Sequence, residues 1–292
     1  MELVISFLVS VIRQTVPILF VALGVLVIQR AGILMMAAEG KMLISCFITA
    51  VTTFMTGSVW LGVLAGTLGT GLVGLIYSWI IQEFHVNQII TGITFNTLAM
   101  GITSFLYRQY YAQKMDRTPL LPGFTTAIAG FTLPVYFGFL MVLLVSLYMS
   151  RTNPGLKLRA VGENPLAAET VGLNVKRVRY WASFIGSLLI GFGGVFFTLG
   201  VTNIFAENIT NGRGYIAMTA VAFGRFTPVG TLLSVALFGA GDALQFRLQA
   251  TSDFPHQFAR MLPYIMTVVA LVIFARNPNS PSSLGRPYSK SR

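Results

Sequence analysis

From Met42 to Gln82 the chain runs for 41 residues without a charged side chain. A water-soluble domain carries roughly 25% charged residues, and a helix needs about 20 mostly apolar residues to cross a bilayer. This run therefore supplies two crossings, with a break at Thr56-Gly57-Ser58, and no part of a soluble globule. Comparable stretches recur. Sixteen uncharged residues separate Arg13 from Arg30, enough for a short span whose flanking arginines reach the interface. Further spans are read over Val86–Tyr107, Gly130–Ser150, Tyr180–Thr202, Thr227–Leu248 and the short Met261–Ala275. The expectation is an all-α polytopic membrane protein with about eight transmembrane helices.

Two shorter apolar segments do not fit a simple crossing. Met1–Arg13 either lies in the interface or extends the first helix. Residues 214–224 are too few to cross helically and read as re-entrant or as half of a broken helix, tolerated where the backbone lines a cavity or is buried in protein. Glu2 opens the chain without a basic run, and no Ala-x-Ala pattern follows, so the apolar segments are read as retained structure.

Lys and Arg total 20 against 9 acidic residues, a net charge of +11. In a soluble protein this excess would point to nucleic acid. Here ten of the 20 basic residues fall in two places: Arg151, Lys157, Arg159, Lys176, Arg177 and Arg179 in segment 151–179, and Arg276, Arg286, Lys290 and Arg292 after the last span. The positive-inside rule puts both in the cytoplasm, and 108–129, 203–213 and 250–260 outside. Parity then needs a return to the inner side near Arg225, which a broken helix provides and a re-entrant loop does not. The chain is read as one transmembrane domain, 1–276, with a basic cytoplasmic tail, 277–292. It is expected to touch membrane lipid and no nucleic acid.

Motif matches exclude more than they assign. Gly69-Thr-Gly-Leu-Val-Gly74 has the form of a dinucleotide fingerprint but lies inside an apolar span without a preceding strand. Gly62, Gly66, Thr70 and Gly74 instead make one smooth helix face for close packing, and Ser183, Ser187 and Gly191 repeat the pattern. Gly239-Ala-Gly-Asp242 resembles an intramembrane aspartyl protease signature, but the second carboxylate that chemistry needs is missing, since Asp116 and Asp253 fall in loops. Asp242 is read as sitting near a helix end and pairing locally. The lone Cys46 and the isolated His85 and His256 leave no metal site, cofactor or catalytic set in view. No P-loop occurs, so ATP hydrolysis is not expected of this chain. Glu39, inside an apolar run, is a functional candidate by default. Its rival reading is a local pair with Lys41. Asn87 and Asn96 are hydrogen-bonding groups for helix packing or for a polar ligand.

Segment 151–179 is the most informative. Asn164 suits an N-cap, Pro165 the first helical position, and Gly172 a left-handed stop. The result is a helix of about seven residues, Pro165–Val171. A helix so short is marginal alone, so Leu166, Ala167, Thr170 and Val171 are read as a surface for another protein. Arg159-Ala-Val-Gly-Glu-Asn-Pro-Leu-Ala-Ala-Glu169 with Gly172-Leu-Asn-Val175 resembles the coupling segment of permease subunits in bacterial ABC importers of the ribose, branched-chain amino acid and nucleoside class. Arg30-Ala-Gly-Ile-Leu34 with Glu39-Gly40, Val86–Ile90, Asn96–Ala99, Gly212–Ala217 and Phe223–Pro228 resemble further motifs of that class, in order over residues 14–276. Within it the chain is most similar to permeases for sugars and purine nucleosides.

The resemblance implies a route for a small polar substrate, a nucleoside or simple sugar, in the bacterial cytoplasmic membrane. It implies an ATP-binding subunit, a second and related permease, and an extracytoplasmic binding lipoprotein as partners. Glu163, Asn164, Pro165, Leu166, Ala167, Glu169, Thr170 and Gly172 are then the coupling residues, and Glu39, Asn87, Asn96 and Tyr215 the candidates for the substrate path. Met35, Ala37 and Lys41 depart from the class, which usually has Asn, Gly and Met there. If that segment lines the route, substrate preference differs from the typical member. The alternative is an ion-coupled transporter acting alone, for which intramembrane acids and histidines are few.

Overall fold

The computed structural model describes residues 2–109, 120–128, 130–251, 261, 265 and 279–289. Ten helices are present among them: α1 Glu2–Arg30, α2 Ala38–Thr56, α3 Val59–Phe84, α4 Gln88–Tyr107, α5 Leu133–Arg151, α6 Asn153–Glu163, α7 Pro165–Thr170, α8 Val175–Phe196, α9 Arg213–Phe223 and α10 Pro228–Thr251. A π-helical turn, Phe197–Thr202, prolongs α8, and a small antiparallel ribbon (β1 Thr126–Ile128, β2 Phe131–Thr132) precedes α5. Seven helices are long and apolar enough to cross a membrane. The eighth expected span, Met261–Ala275, lies almost wholly outside the described residues, as does most of 250–260.

The first apolar segment extends α1, which runs unbroken through Pro17. From Val16 to Ile28 nearly every side chain is fully buried, because a helix apolar all round is solvated only by other helices. α1 is therefore the axis of the bundle, against which α8, α10, α9 and α5 pack. At the predicted break, Gly57 closes α2 in the left-handed conformation (φ 66°) and Ser58 opens α3.

The small-residue faces meet as their spacing predicts. A Cβ on Gly62 or Gly66 would strike the hydroxyls of Thr53 and Thr49 on α2, and one on Gly74 would strike Ser187 on α8. Gly24 and Gly186 bring α1 and α8 equally close: a Cβ on Gly186 would lie 2.6 Å from the Gly24 carbonyl. Gly186→Ala is expected to cost about 1–3 kcal/mol through overpacking, read as a lower unfolding midpoint of the purified protein. Gly101→Ala, with nothing within 4 Å, should leave the midpoint unchanged.

The ends of the bundle differ. One, here the basic end, carries α6 and α7, the end of α1 and the start of α8, where Arg179 Nε donates to the Ala31 carbonyl (3.2 Å). The other carries residues 120–124, held by Leu121 N to Asn203 O (2.8 Å) and Phe124 N to Leu199 O (3.0 Å). There Arg108 and Glu207 form a two-point pair (2.8 and 2.9 Å) that holds the Glu207 carboxyl below the usual range. Both groups are solvent-exposed, so the pair is expected to stabilise little and to be screened by salt. Its contribution is present above the ordinary carboxyl pKa and is lost as pH falls through the depressed one. Arg108→Ala should abolish that acid-side dependence, measured as unfolding midpoint against pH.

Residues 203–227 resolve the parity question. After the π-turn, Asn203, Asn208 and Asn211 all take left-handed backbone (φ 53°, 53° and 44°), which asparagine tolerates better than most residues. This irregular stretch descends from the opposite end to Gly212, deep in the bundle. α9 then covers the remaining distance, 11 residues or about 16 Å, to Phe226, whose carbonyl accepts from Arg30 Nε at the basic end (2.8 Å). Segment 203–226 is a broken helix that passes from end to end, not a re-entrant loop.

Candidate functional site

The break in α9 has a counterpart. Residues 31–37 leave α1 at the basic end and return inward without helix, and α2 begins only at Ala38. Lys41 meets Ser187, 12 residues (187 − 175) into α8, which puts the start of α2 about 18 Å along that helix. The first turns of α2 and of the shorter α9 thus face each other in the interior. Each exposes backbone N–H groups without helical partners and a partial positive charge.

One carboxylate serves both ends. Glu39, in the first turn of α2, accepts from Thr210 Oγ1 (2.5 Å) and Gly212 N (2.8 Å) on one oxygen, and from Gly214 N (2.6 Å) on the other. A Cβ on Gly214 would collide with the backbone of Glu39, so the approach requires glycine. Asn96 of α4 completes the junction. Its Oδ1 accepts from Gly40 N (2.8 Å), and its Nδ2 donates to Met36 O (2.9 Å) and the Tyr215 hydroxyl (2.8 Å). Leu34 N donates to Gln88 Oε1 (2.6 Å), so the non-helical stretch has its polar groups paired as well.

Of the four path candidates, the structure brings Glu39, Asn96 and Tyr215 together. Glu39 and Asn96 are buried, and Tyr215 is 39% exposed. Asn87 stands apart: it is the N-cap of α4 at the basic end, accepting from Ile89 N (2.9 Å) and Ile90 N (3.2 Å). Glu39 does not pair with Lys41. The lysine is fully buried, with Nζ 2.9 Å from Ser187 Oγ, 3.5 Å from Met35 Sδ and 4.7 Å from the Tyr77 ring centre. Met35 and Lys41, two of the departures from the class, touch each other.

Asp242 also differs from expectation. It lies well inside α10, and its partner is Arg213 of α9 at 3.6 Å, whose guanidinium stacks over Phe197 (4.6 Å). An arginine beside the carboxylate favours its ionised form, against the shared proton that the proteolytic reading needs.

At the basic end the short helix is present as α7, Pro165–Thr170. Asn164 Oδ1 accepts from Ala167 N (3.1 Å), and Gly172 is left-handed (φ 82°). It stops one residue earlier than expected, with Val171 at the C-cap. Leu166 (54%) and Val171 (75%) are exposed, as are Ala167 and Thr170, while Ala168 is buried against Val161, Val175 and Tyr288. The preceding α6 was not expected. Thr152 caps it, accepting from Gly155 N (3.1 Å), so Asn153-Pro154-Gly155 opens a helix rather than a turn.

Residues 279–289 close this end, which no sequence motif signals. Ser283 donates from N (3.1 Å) and Oγ (2.6 Å) to Gly162 O, Gly285 N donates to Gly32 O (3.1 Å), and Ser282 donates from N (3.2 Å) and Oγ (3.0 Å) to Glu163. The Tyr288 ring lies over the buried Arg179 guanidinium (5.8 Å). Burial, and then its hydrogen bond to Glu169, push the Tyr288 hydroxyl pKa up to about 12. Both acids of the expected coupling set, Glu163 and Glu169, are thus held by the tail.

Seven apolar spans among the described residues, with the starts of α2 and the half-helix α9 meeting inside the bundle and a small capped helix standing out at one end, define a membrane transport protein. Residues 7–271 match the family described as branched-chain amino acid transport system permease components, and the chain belongs to that family. It is 30% identical over 300 residues to the guanosine ABC transporter permease protein NupQ of Bacillus subtilis, covering 94% of each chain. It is 28% identical to the nucleoside ABC transporter permease protein NupC of Lactococcus lactis, over 97% of this chain and 96% of that one. It is also 31% identical to a putative glucose ABC transporter permease, TsgC13 of Haloferax volcanii, over 85% and 80% of the two chains.

Proposed function

We propose that this permease forms half of the route of an ATP-driven importer for a nucleoside, with a simple sugar as the second substrate class. The observation that carries the coupling role is α7, capped at both ends and anchored from behind, with Leu166, Ala167, Thr170 and Val171 turned outward. Such a helix suits a groove on a separate ATP-binding subunit. The basic end then faces the cytoplasm of a bacterial cell, with segment 151–179 and the C-terminus. A related permease completes the route, and an external binding protein delivers substrate. The midpoint junction of Glu39, Asn96 and Tyr215 is the part of the path on this chain, with Tyr215 presenting its ring to the substrate.

An ion-coupled mechanism finds no support. Among the described residues, Glu39 is occupied by three donors, and Asp242 has Arg213 beside it at 3.6 Å as a counter-charge. The test is uptake of labelled guanosine and glucose into cells co-expressing the permease with its ATPase, second permease and binding protein. ATP-dependent guanosine uptake is expected, with glucose as competitor well below unlabelled guanosine. Uptake by the lone chain driven by an ion gradient would overturn the reading.

Ending the chain after residue 278 removes the contacts to Gly32, Gly162, Glu163, Glu169 and Arg179 together. Uptake is expected to fall severalfold while the permease still inserts, measured by transport per inserted protein.

A further inference from the structure

Between the basic-end termini of α5 and α10 lies a cavity of about 260 Å³ that none of the above uses. Its polar lining is Arg30, Arg159, Ser146, Ser150 and Thr227. Arg30 spends Nε on the Phe226 carbonyl. The Nε of Arg159 is buried and has no hydrogen-bond partner, a state that costs free energy until a partner arrives. Arg30 is within electrostatic reach of Arg159 and of Glu163, and Glu163 already accepts twice from Ser282. The pocket therefore holds an unbalanced positive charge.

The surface beside it is of the opposite character. On α10, Val229, Leu233 and Leu237 recur every four residues with 56%, 67% and 37% exposure. On α5, Leu140, Leu143 and Leu147 are exposed by 47%, 56% and 46%. Val229 itself lines the cavity, and the two stripes run from this level along α10 and α5 away from the basic end, so a pocket edged by two arginines adjoins exposed apolar helix faces.

We propose that this groove is a binding site for an anionic phospholipid. The phosphate sits between Arg30 and Arg159, where guanidinium groups bind phosphate oxygens through charge-assisted hydrogen bonds. The Ser150 and Thr227 hydroxyls lie at the mouth, and the acyl chains lie along the two stripes. The site needs only that these helix ends lie in the head-group layer. It does not depend on what the permease transports or on which subunit drives it.

Native mass spectrometry of the purified, detergent-exchanged transporter tests this with phosphatidylglycerol and phosphatidylcholine added in turn. Phosphatidylglycerol is expected to be retained after phosphatidylcholine has been washed away. Arg159→Gln should weaken that retention about fivefold, the worth of one arginine near an anionic surface. Ser150→Glu, an exposed position that tolerates a longer side chain, should do the same by repulsion, so a failure of the arginine variant to assemble leaves the test intact. Equal retention of the two lipids, or unchanged retention in the assembled variants, would sink the proposal. Displacement of the lipid by millimolar inorganic phosphate would reassign the pocket to free anions. A Leu233→Cys cross-link to the second permease would reassign the groove to a subunit contact.

Discussion

A Leu166→Arg permease is expected to insert into the membrane in normal amount and to import nothing above background. Leu166 is half exposed on α7 and buries no core contact of its own, so the substitution leaves the bundle intact. On a docked surface it places a charge where an apolar side chain is expected, which costs several kcal/mol once desolvated. Glu169→Lys attacks the same helix from its other side, removing the acceptor of the Tyr288 hydroxyl. Both variants should fail to co-purify with the ATPase, or co-purify and leave its hydrolysis unresponsive to substrate. Full uptake with either would overturn the coupling role.

The second large effect is expected at Glu39. Glu39→Ala leaves Gly212 N, Gly214 N and Thr210 Oγ1 without their acceptor in a buried place, and bonds to a charged group are worth about 1.5–3 kcal/mol each. A loss on the order of 3 kcal/mol or more is therefore expected, read as a lower unfolding midpoint and reduced yield of folded protein. Glu39→Gln should recover part of it, since an amide oxygen can still accept while the amide nitrogen meets donors. Glu207→Gln, at the exposed end of the bundle, serves as the control that changes little. If Glu39→Ala unfolded like Glu207→Gln, the carboxylate would not be the lock between the starts of α2 and α9.

The parts of this architecture that were legible in the sequence are those set by local chemistry. Span lengths follow from uncharged runs, the break at Gly57 from glycine, and α7 from Asn164, Pro165 and Gly172. The facing stripes of α2, α3 and α8 follow from small residues at helical spacing. Non-local chemistry was not legible. Nothing near Glu39 announces that its partners are Thr210, Gly212 and Gly214, because the contact exists only once two breaks in the chain are brought to one depth. Asp242 and Arg213 pair for the same reason. α6 was hidden by Asn153-Pro154-Gly155, which reads as a turn until Thr152 is seen capping it. The resemblance to a permease class singled out Glu39, Asn96 and Tyr215 together with Asn87, but it did not say which of them lie close to one another.

The clasp formed by residues 279–289 has a consequence for synthesis. A chain leaves the ribosome from its N-terminus, and its parts fold in that order. Gly32, Gly162 and Glu163 are made well before the groups that bond to them, those of Gly285, Ser283 and Ser282. The joint at the basic end cannot close until residues 279–289 have been made. A product cut short before residue 279 carries every described helix of more than 18 residues and still leaves the face around Gly32, Gly162 and Glu163 unfinished.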